Sequence, residues 1–243
     1  MMKIFIAGIT GATGRLVASQ LLTGGHSVFG FARNPDALPD EIRHHPALTV
    51  KQGSLLALSD AELTAMLDQV DGVVSCLGHN MTCQGIWGHP RTLVRDAVQR
   101  LTTLTQHKPM RFVLMSSNGV ANRLIHERYS LTDRAIIAVL RKILPPHRDN
   151  ELAADFLQHQ TFSQLEWCIV RPDNLVDESD VTDYAAFPSP QLGVIAGAGQ
   201  TSRINVAAFM CELLTQDKTW ARWEGAWPVL YNEGRLNEKL ALM

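Results

Sequence analysis

The feature that most constrains the fold of this 243-residue chain is a group of three glycines near its start. The segment GITGATGRL, residues 8–16, follows directly on the apolar segment KIFIA and has glycines at positions 8, 11 and 14. The first permits a tight turn, the second lets the backbone approach a pyrophosphate, and the third lets a helix pack closely on the strand. A strand, such a turn and a helix predict a dinucleotide site with phosphate at the helix N-terminus. The alternative is a glycine-rich turn that binds no ligand.

Residues beside these glycines supply further contacts to the predicted dinucleotide. The hydroxyls of Thr10 and Thr13 can add hydrogen bonds to phosphate oxygens, and Arg15 lies at the start of the predicted helix. The expected phosphate cradle is Gly8, Thr10, Gly11, Thr13 and Gly14. Ala12 is also predicted to contact the cofactor, and Arg15 can help to bind a 2′-phosphate.

The end of the second predicted strand indicates which dinucleotide is bound. An NAD-specific site usually has an acid there, which hydrogen-bonds the ribose 2′-hydroxyl. The segment VFGFARNP, residues 28–35, instead carries Arg33, and no acid occurs before Asp36. A guanidinium matches a 2′-phosphate in charge and shape. These residues favour NADP(H) over NAD(H); the alternative is that Arg33 is a solvated loop residue.

Short apolar runs alternate with longer helical patterns along most of the chain. The runs are continuously apolar, as in strands buried on both faces of a parallel sheet. The predicted strands are Lys3–Ala7, Ser27–Ala32, Leu48–Gln52, Gly72–Cys76, Arg111–Met115 and Glu166–Val170. The predicted helices are Gly14–Thr23, Asp60–Leu67, Pro90–His107, Leu131–Ile143, Asn150–Gln160 and Asn205–Leu214. This order predicts an α/β, doubly wound (Rossmann), mainly parallel sheet in a single domain, with about residues 172–243 forming a small C-terminal substrate lobe.

Charge and apolar patterning argue against several classes of protein. The net charge of −2 gives no electrostatic reason to expect nucleic acid or an anionic membrane as a partner. No stretch approaches the roughly 18 apolar residues of a membrane span. The N-terminal segment has one basic residue and only a short apolar run, unlike a signal peptide. The four cysteines are scattered, so a reduced, cytoplasmic protein is expected.

Six segments resemble the atypical short-chain dehydrogenase/reductase superfamily: GITGATG, FARNP, KQGSL, VVSCLG, VLMSSNGV and WCIVRPDNLVD. The likeness covers about residues 1–215 and is closest to NmrA-like, NADH-flavin-reductase and biliverdin-reductase-B-like members. It implies further cofactor contacts from Ser54, Leu55, Cys76, Leu77, Gly78, Ser116, Pro172 and Asp173. Ser54 stands where the family usually has an Asp that faces the adenine, so this contact is expected to be weaker or mainly apolar.

The catalytic pair that this resemblance implies is incomplete. The family typically has a Tyr after the fifth strand and a Lys four residues further. Tyr129 has nearly the expected spacing, but Asp133 stands where the Lys would be. A carboxylate there would raise the pKa of the phenol. Tyr129 is a candidate proton donor, and the alternative is a structural aromatic at a helix start.

Ser117 and His147 are the other catalytic candidates. Ser117 is expected beside the nicotinamide, where it would position substrate or cofactor. His147, in the segment PPHRDNELAADFL, is the nearby group whose ordinary pKa suits acid catalysis at neutral pH. The alternatives are an exposed histidine at a helix start, and helix-capping roles for the neighbouring Asp149 or Asn150.

The segment CLGHNMTCQGIWGHP, residues 76–90, is long for a loop that follows a strand. Its polar and aromatic residues are His79, Asn80, Trp87 and His89. Trp87 could stack on a flat ring, or it could simply pack on the domain. Histidine and cysteine spacing does not indicate a metal site.

Two functions fit these observations. We also expect a small-molecule substrate and a monomeric or homodimeric protein. The first is an NADPH-dependent oxidoreductase that reduces a planar acceptor such as a flavin or quinone. Such acceptors need less acid catalysis than ketones, which fits the incomplete Tyr–Lys pair. The alternative is a non-catalytic NADP(H)-sensing regulator of the NmrA-like type. A nucleotide-sugar epimerase or dehydratase is disfavoured because those relatives retain the pair.

Overall fold

The fold is given by a computed structural model that describes residues 1–79, 82, 87–125, 127, 129–194 and 197–241. The strands are β1 (Lys3–Ala7), β2 (Ser27–Ala32), β3 (Leu48–Gln52), β4 (Gly72–Ser75), β5 (Met110–Met115), β6 (Leu165–Pro172), β7 (Asn174–Val176), β8 (Tyr184–Phe187), β9 (Gln200–Ser202) and β10 (Val229–Asn232). The α-helices are α1 (Gly14–Thr23), α2 (Asp40–Arg43), α3 (Asp60–Leu67), α4 (Leu93–Thr105), α5 (Leu131–Ile143), α6 (Pro145–His159), α7 (Arg203–Thr215), α8 (Asp217–Trp223) and α9 (Glu233–Leu240), and a 3₁₀ turn spans Pro35–Ala37.

The main sheet has eight strands in the order β3-β2-β1-β4-β5-β6-β10-β8. All neighbours are parallel except β8, which runs antiparallel to β10. β7 and β9 form a separate parallel pair. Helices cover both faces, which confirms the predicted doubly wound, mainly parallel architecture.

The six predicted strands all form, with boundary shifts of no more than two residues. α1, α3 and α5 have the predicted bounds. α4 begins at Leu93 rather than Pro90, so Pro90 lies before the helix instead of in its first turn. α6 begins at Pro145, five residues earlier than predicted, because two prolines fill its first positions. Those positions need no N–H donor, so proline is tolerated there.

Two apolar layers enclose the sheet. On one face, Val17 of α1 packs in a cluster with Met210 of α7 and with Trp220 and Trp223. The opposite cluster contains Leu63, Val98 and Leu157, from α3, α4 and α6 respectively, together with Trp227. All three C-terminal tryptophans are buried in these layers.

Residues after Pro172 are partly built into the main sheet. β10 pairs with β6, β8 closes the edge, and α7 packs against α1. The separate pair β7 and β9 lies outside the main sheet. That the segment 172–243 acts as a substrate-side lobe stays a prediction. In the ranges that the structure describes, no helix combines the length and the apolar character needed to cross a membrane.

Candidate active site

The carboxyl ends of four neighbouring strands meet at one edge of the sheet. Ala7 of β1 pairs with Ser75 of β4, Ser75 with Leu114 of β5, and Leu114 with Ile169 of β6. The loops after these strands therefore begin side by side at this edge of the sheet. β2 lies on the other side of β1, so the strand order reverses between β1 and β4. Ligands of doubly wound sheets bind in the crevice at such a reversal.

The glycine loop after β1 leaves no room for side chains at two of its three glycines. Gly8 has a φ of +82°, and a Cβ there would lie 2.9 Å from the carbonyl oxygen of Cys76. A Cβ on Gly14 would lie 2.2 Å from the carbonyl oxygen of Gly8. Gly11 donates its N–H to Gly8 at 2.9 Å, which closes the turn. The turn and the close helix contact expected of Gly8 and Gly14 are therefore present.

The N-terminus of α1 has the features of a phosphate site. No side chain of the described residues caps it, and its first turn contains no acid. By contrast, serine side chains cap α3, α5 and α7. An uncapped helix start leaves N–H groups and a partial positive charge available to an anion. Thr13 is buried, Thr10 is half-buried, and Ala12 and Arg15 are exposed. Their geometry fits the predicted cradle, although the individual contacts stay predictions.

Arg33 lies exposed at the carboxyl end of β2. Its guanidinium has no hydrogen bond or ion pair with any residue that the structure describes. The first acid after it, Asp36, accepts a hydrogen bond from Arg43 at 2.9 Å. The cation is therefore available at this position, whereas the nearby carboxylate is engaged elsewhere.

Arg100 of α4 fixes the loop after β3, and the sequence analysis did not single this residue out. Arg100 of α4 donates to the carbonyl oxygen of Leu55 at 2.6 Å and pairs with Asp60 at 2.7 Å. Leu55 is half-buried and Ser54 is exposed. These contacts fix the loop from which the adenine contact is predicted. From the sequence alone, Arg100 is not distinguishable from an arginine that is solvated on the polar side of a helix.

The loop after β4 lies directly against the glycine loop. The Cys76 N–H donates to Ala7 at 2.9 Å, and a Cβ on Gly8 would be 3.1 Å from the Leu77 nitrogen. Burial raises the pKa of the Cys76 thiol, so this residue offers its backbone rather than a thiolate. Leu77 is half-buried and Gly78 exposed, as a contact to a bound ribose would require.

The ends of β5 and β6 present polar groups whose hydrogen-bonding capacity is incompletely used. The Oγ of Ser116 and the Oδ1 of Asn118 are buried and have no hydrogen-bond partner among the described residues. Asn118 donates its amide to Asp173 at 3.1 Å and its backbone N–H to Pro172 at 2.9 Å. Burial raises the pKa of Asp173, although the N–H groups of two neighbouring residues partly oppose this. Buried orphan groups at a ligand edge are typical of a site completed by a ligand.

The structure brings Ser117 and His147 together across Gly119. A Cβ placed on Gly119 would lie 3.4 Å from Cε1 and 3.7 Å from Nδ1 of His147, and 3.8 Å from Oγ of Ser117. The same small space is thus bordered by a hydroxyl and an imidazole. His147 is 8% exposed, so the alternative of an exposed histidine at the helix start is wrong.

His147 sits in a polar network within α6. Its Nε2 lies 3.6 Å from Oε1 of Glu151, one turn along the helix. Glu151 accepts two hydrogen bonds from Arg141, at 2.7 and 2.6 Å. Burial raises the pKa of Glu151, but the contacts of His147 and Arg141 outweigh burial and lower it to about 2. Glu151 is therefore a buried carboxylate that stays ionised.

Tyr129 is engaged in a different network. Its hydroxyl donates to Glu127 at 2.6 Å, and Glu127 forms a buried ion pair with Arg171 at 2.6 Å. Burial, followed by the contact with Glu127, raises the pKa of the Tyr129 phenol. A proton donor to substrate needs a free hydroxyl and a lowered pKa, so this environment weighs against the predicted role.

Asp149 has a structural role that its position in the sequence does not reveal. It lies within α6 and is 1% exposed, but it caps α4 rather than its own helix. Its carboxylate accepts the N–H groups of Val94 and Arg95 at 2.8 and 3.0 Å, and lies 2.7 Å from Nε2 of His79. It therefore ties the end of β4 and the start of α4 to the helix that carries His147.

The loop between β4 and α4 is only partly described. Asn80 and Cys83 lie outside the described residues, whereas Trp87 and His89 are exposed. A stacking role for Trp87 stays a prediction. Among the described residues, no three His, Cys, Asp or Glu side chains are grouped in a way that could hold a metal ion.

Comparisons with known proteins give the family and the fold of the chain. A model of the NAD(P)H-binding family matches residues 8–217. A wide-type short-chain dehydrogenase/reductase from Veillonella parvula, solved with NADP, is similar at 18% identity and a TM-score of 0.70, covering 96% of both chains. A protein assigned as an NADH-flavin reductase from Streptococcus pneumoniae is 16% identical, with a TM-score of 0.68 and coverage of 96% and 100%.

An anaerobillin reductase from Escherichia coli O157:H7 is also similar, at 18% identity and a TM-score of 0.65, with coverage of 95% of this chain and 97% of that one. A search of curated proteins gives no significant match. The solved structures confirm the fold that the sequence motifs implied, and the family model confirms the resemblance to NAD(P)H-binding proteins. Because the family model covers most of the chain, this protein belongs to the NAD(P)H-binding family.

Proposed function

We propose that this protein is an NADPH-dependent reductase of a planar, conjugated small molecule such as a flavin, a quinone or a related ring system. The observation that carries the proposal is the common edge of β1, β4, β5 and β6. It joins an uncapped phosphate cradle to a small space bordered by Ser117 and His147. The cradle serves the cofactor, and the small space serves the acceptor.

Residues of this chain would hold the pyrophosphate, the 2′-phosphate, the ribose and the nicotinamide of NADP(H). The glycine loop and the start of α1 would hold the pyrophosphate, and the free guanidinium of Arg33 would pair with the 2′-phosphate. The backbone from Cys76 to Gly78 would border the ribose, and Ser116, Pro172 and Asp173 would border the nicotinamide. When bound, NADPH supplies a hydride for the acceptor. A neighbour solved with NADP supports the choice of cofactor, although it shares only the fold.

The acceptor side favours a substrate that needs little acid catalysis. Asp133 replaces the expected lysine and is buried, and the Tyr129 hydroxyl is committed to Glu127. Ser117 would orient the acceptor, and His147 would bind it or supply a proton. Two structural neighbours carry names of reductases that act on conjugated rings, a flavin and a tetrapyrrole, which supports this class. A cytoplasmic location and a monomeric or homodimeric state stay predictions from the sequence.

Oxidation of NADPH with a panel of FMN, riboflavin, menadione and biliverdin tests the proposal. We expect turnover with at least one of them, reduced about tenfold or more in Ser117→Ala or His147→Gln with little change in NADPH affinity. Lys218→Ala, on α8 at the opposite edge of the sheet, is the control. Tight NADPH binding without turnover of any acceptor would contradict the reductase and favour the NADP(H)-sensing regulator.

A further inference from the structure

His147 has two ring nitrogens in different surroundings, and this asymmetry bears on how it would act. Nε2 is buried, 3.6 Å from the Glu151 carboxylate, and has no hydrogen-bond partner among the described residues. Nδ1 and Cε1 are on the side of the ring that borders Gly119 and Ser117. One edge of the imidazole thus faces a permanent negative charge, and the other faces the space assigned to the acceptor.

The carboxylate decides which nitrogen keeps its proton. Glu151 is ionised and is held in place by the two hydrogen bonds from Arg141. An ionised carboxylate only accepts hydrogen bonds, so it favours a proton on the nearer nitrogen, Nε2. In the neutral ring, Nδ1 is then unprotonated; in the charged ring, the second proton is on Nδ1.

We infer that His147 delivers a proton from Nδ1 toward the space beside Gly119, and that Glu151 is the positioning residue that makes this possible. The inference rests on the proposed reductase function. As the acceptor is reduced by the hydride from NADPH, the Nδ1–H bond of the imidazolium breaks and an N–H or O–H bond forms on the acceptor, directly or through the Ser117 hydroxyl. The ring is left neutral with its proton on Nε2, and solvent returns a proton to Nδ1.

Gly119 is the residue that keeps this transfer space open. A Cβ added to Gly119 would lie 3.4 Å from Cε1 of His147, 3.7 Å from its Nδ1 and 3.8 Å from Oγ of Ser117, all of which are ordinary van der Waals distances. An added methyl group would therefore fit without displacing the fold, and it would fill the volume between the ring and the hydroxyl. Glycine at this position leaves room for an acceptor atom in contact with both groups.

The tautomer of His147, measured by two-bond ¹H–¹⁵N NMR at about pH 9, tests the role of Glu151 without any substrate. We expect the Nε2–H form alone in the wild type and a mixture with the Nδ1–H form in Glu151→Met, which keeps the size but removes the acceptor oxygens. Glu151→Gln restores an acceptor oxygen and should recover the wild-type tautomer. Asp155→Asn, which removes another acid of the same helix and leaves the hydrogen bonds of Arg141 to Glu151 in place, is the control.

An Nδ1–H tautomer in the wild type, or the same fraction of the two tautomers in Glu151→Met as in the wild type, would overturn the inference. This outcome is independent of the proposed function, because it requires neither NADPH nor an acceptor. If the tautomer result is as expected but no acceptor is turned over, the reductase function fails and the positioning role of Glu151 stands.

The transfer space is tested with NADPH and menadione as the probe acceptor. Gly119→Ala should fold with unchanged stability and bind NADPH normally, but lower kcat/KM for menadione about tenfold or more. Gly234→Ala, where the added Cβ meets open space, is the matched control. Unchanged kcat/KM in Gly119→Ala would contradict the use of this space by the acceptor.

Discussion

At the scale of single residues, Arg33 is the side chain that we propose discriminates between NADPH and NADH. It is exposed at the end of β2 and has no partner among the described residues. Arg33→Ala should weaken NADPH binding by about tenfold to a hundredfold, because a charge-assisted hydrogen bond is worth about 1.5–3 kcal/mol. NADH, which has no 2′-phosphate, should bind within about twofold of the wild type. Isothermal titration with both nucleotides measures this.

The control for Arg33→Ala is Lys218→Ala, which removes the same charge at the far edge of the sheet. Equal losses for NADPH and NADH would remove the 2′-phosphate assignment. A loss of NADPH affinity in the control would show that net charge, rather than the position of Arg33, governs binding.

The sequence pointed to Ser117 and His147 as candidates, but it did not reveal their surroundings. Ser117 follows β5, and His147 follows the two prolines that begin α6. The Glu127 that occupies the Tyr129 hydroxyl is itself fixed by Arg171, which is 44 residues away. Glu151 faces His147 in the structure, but the sequence does not distinguish it from an ordinary acid at the polar start of a helix. Such partners are determined by tertiary packing, so local patterns carry no signal for them.

At the scale of secondary structure elements, α4 depends on a side chain from another helix. Asp149 of α6 accepts the N–H groups of Val94 and Arg95, and no side chain of α4 among the described residues caps its start. Asp149→Ala should lower the free energy of unfolding by about 2–4 kcal/mol, since it removes the two charge-assisted hydrogen bonds that cap α4 and also the contact with His79. Urea unfolding followed by circular dichroism measures the change.

Hydrogen exchange gives the local readout for the same variant. The amides of Val94 and Arg95 should lose protection in Asp149→Ala more than amides in the middle of α4. Asp155→Ala, a half-buried acid on the same helix, is the matched control and should change the free energy of unfolding by less than about 1 kcal/mol. Equal effects of the two substitutions would contradict the capping role.

Elements were predictable where the apolar pattern was continuous. β1 and β2 have the predicted bounds because each is a short, mainly apolar run between turn residues. β3 also has the predicted bounds, although only Leu48 and Val50 of its five residues are apolar. β10 and β8 were not predicted, since after β6 the regular alternation fades and their sequences are short. Their places follow from pairing with β6, a long-range contact that periodicity cannot reveal.

At the scale of the whole molecule, Glu151 couples the stability of the fold to pH. Its ordinary pKa of 4.5 applies to the unfolded chain, and in the folded chain its contacts lower the pKa to about 2. A lowered carboxyl pKa stabilises the fold above pH 4.5, and this stabilisation is lost as the pH falls through about 2. The difference corresponds to a contribution on the order of 3 kcal/mol at neutral pH.

The expected result is that wild type and Glu151→Gln differ most in their free energy of unfolding near neutral pH. The difference should shrink by about half or more on lowering the pH to about 3, because protonation of Glu151 then favours the unfolded chain. Urea titrations of both proteins between about pH 3 and pH 7 measure it. Glu41→Gln, at an exposed acid of α2 whose side chain has no hydrogen bond or ion pair with the described residues, corrects for general acid effects. A wild-type advantage over Glu151→Gln that is constant with pH would mean that the Glu151 carboxylate is not held by His147 and Arg141, and the positioning role proposed for it would fail with it.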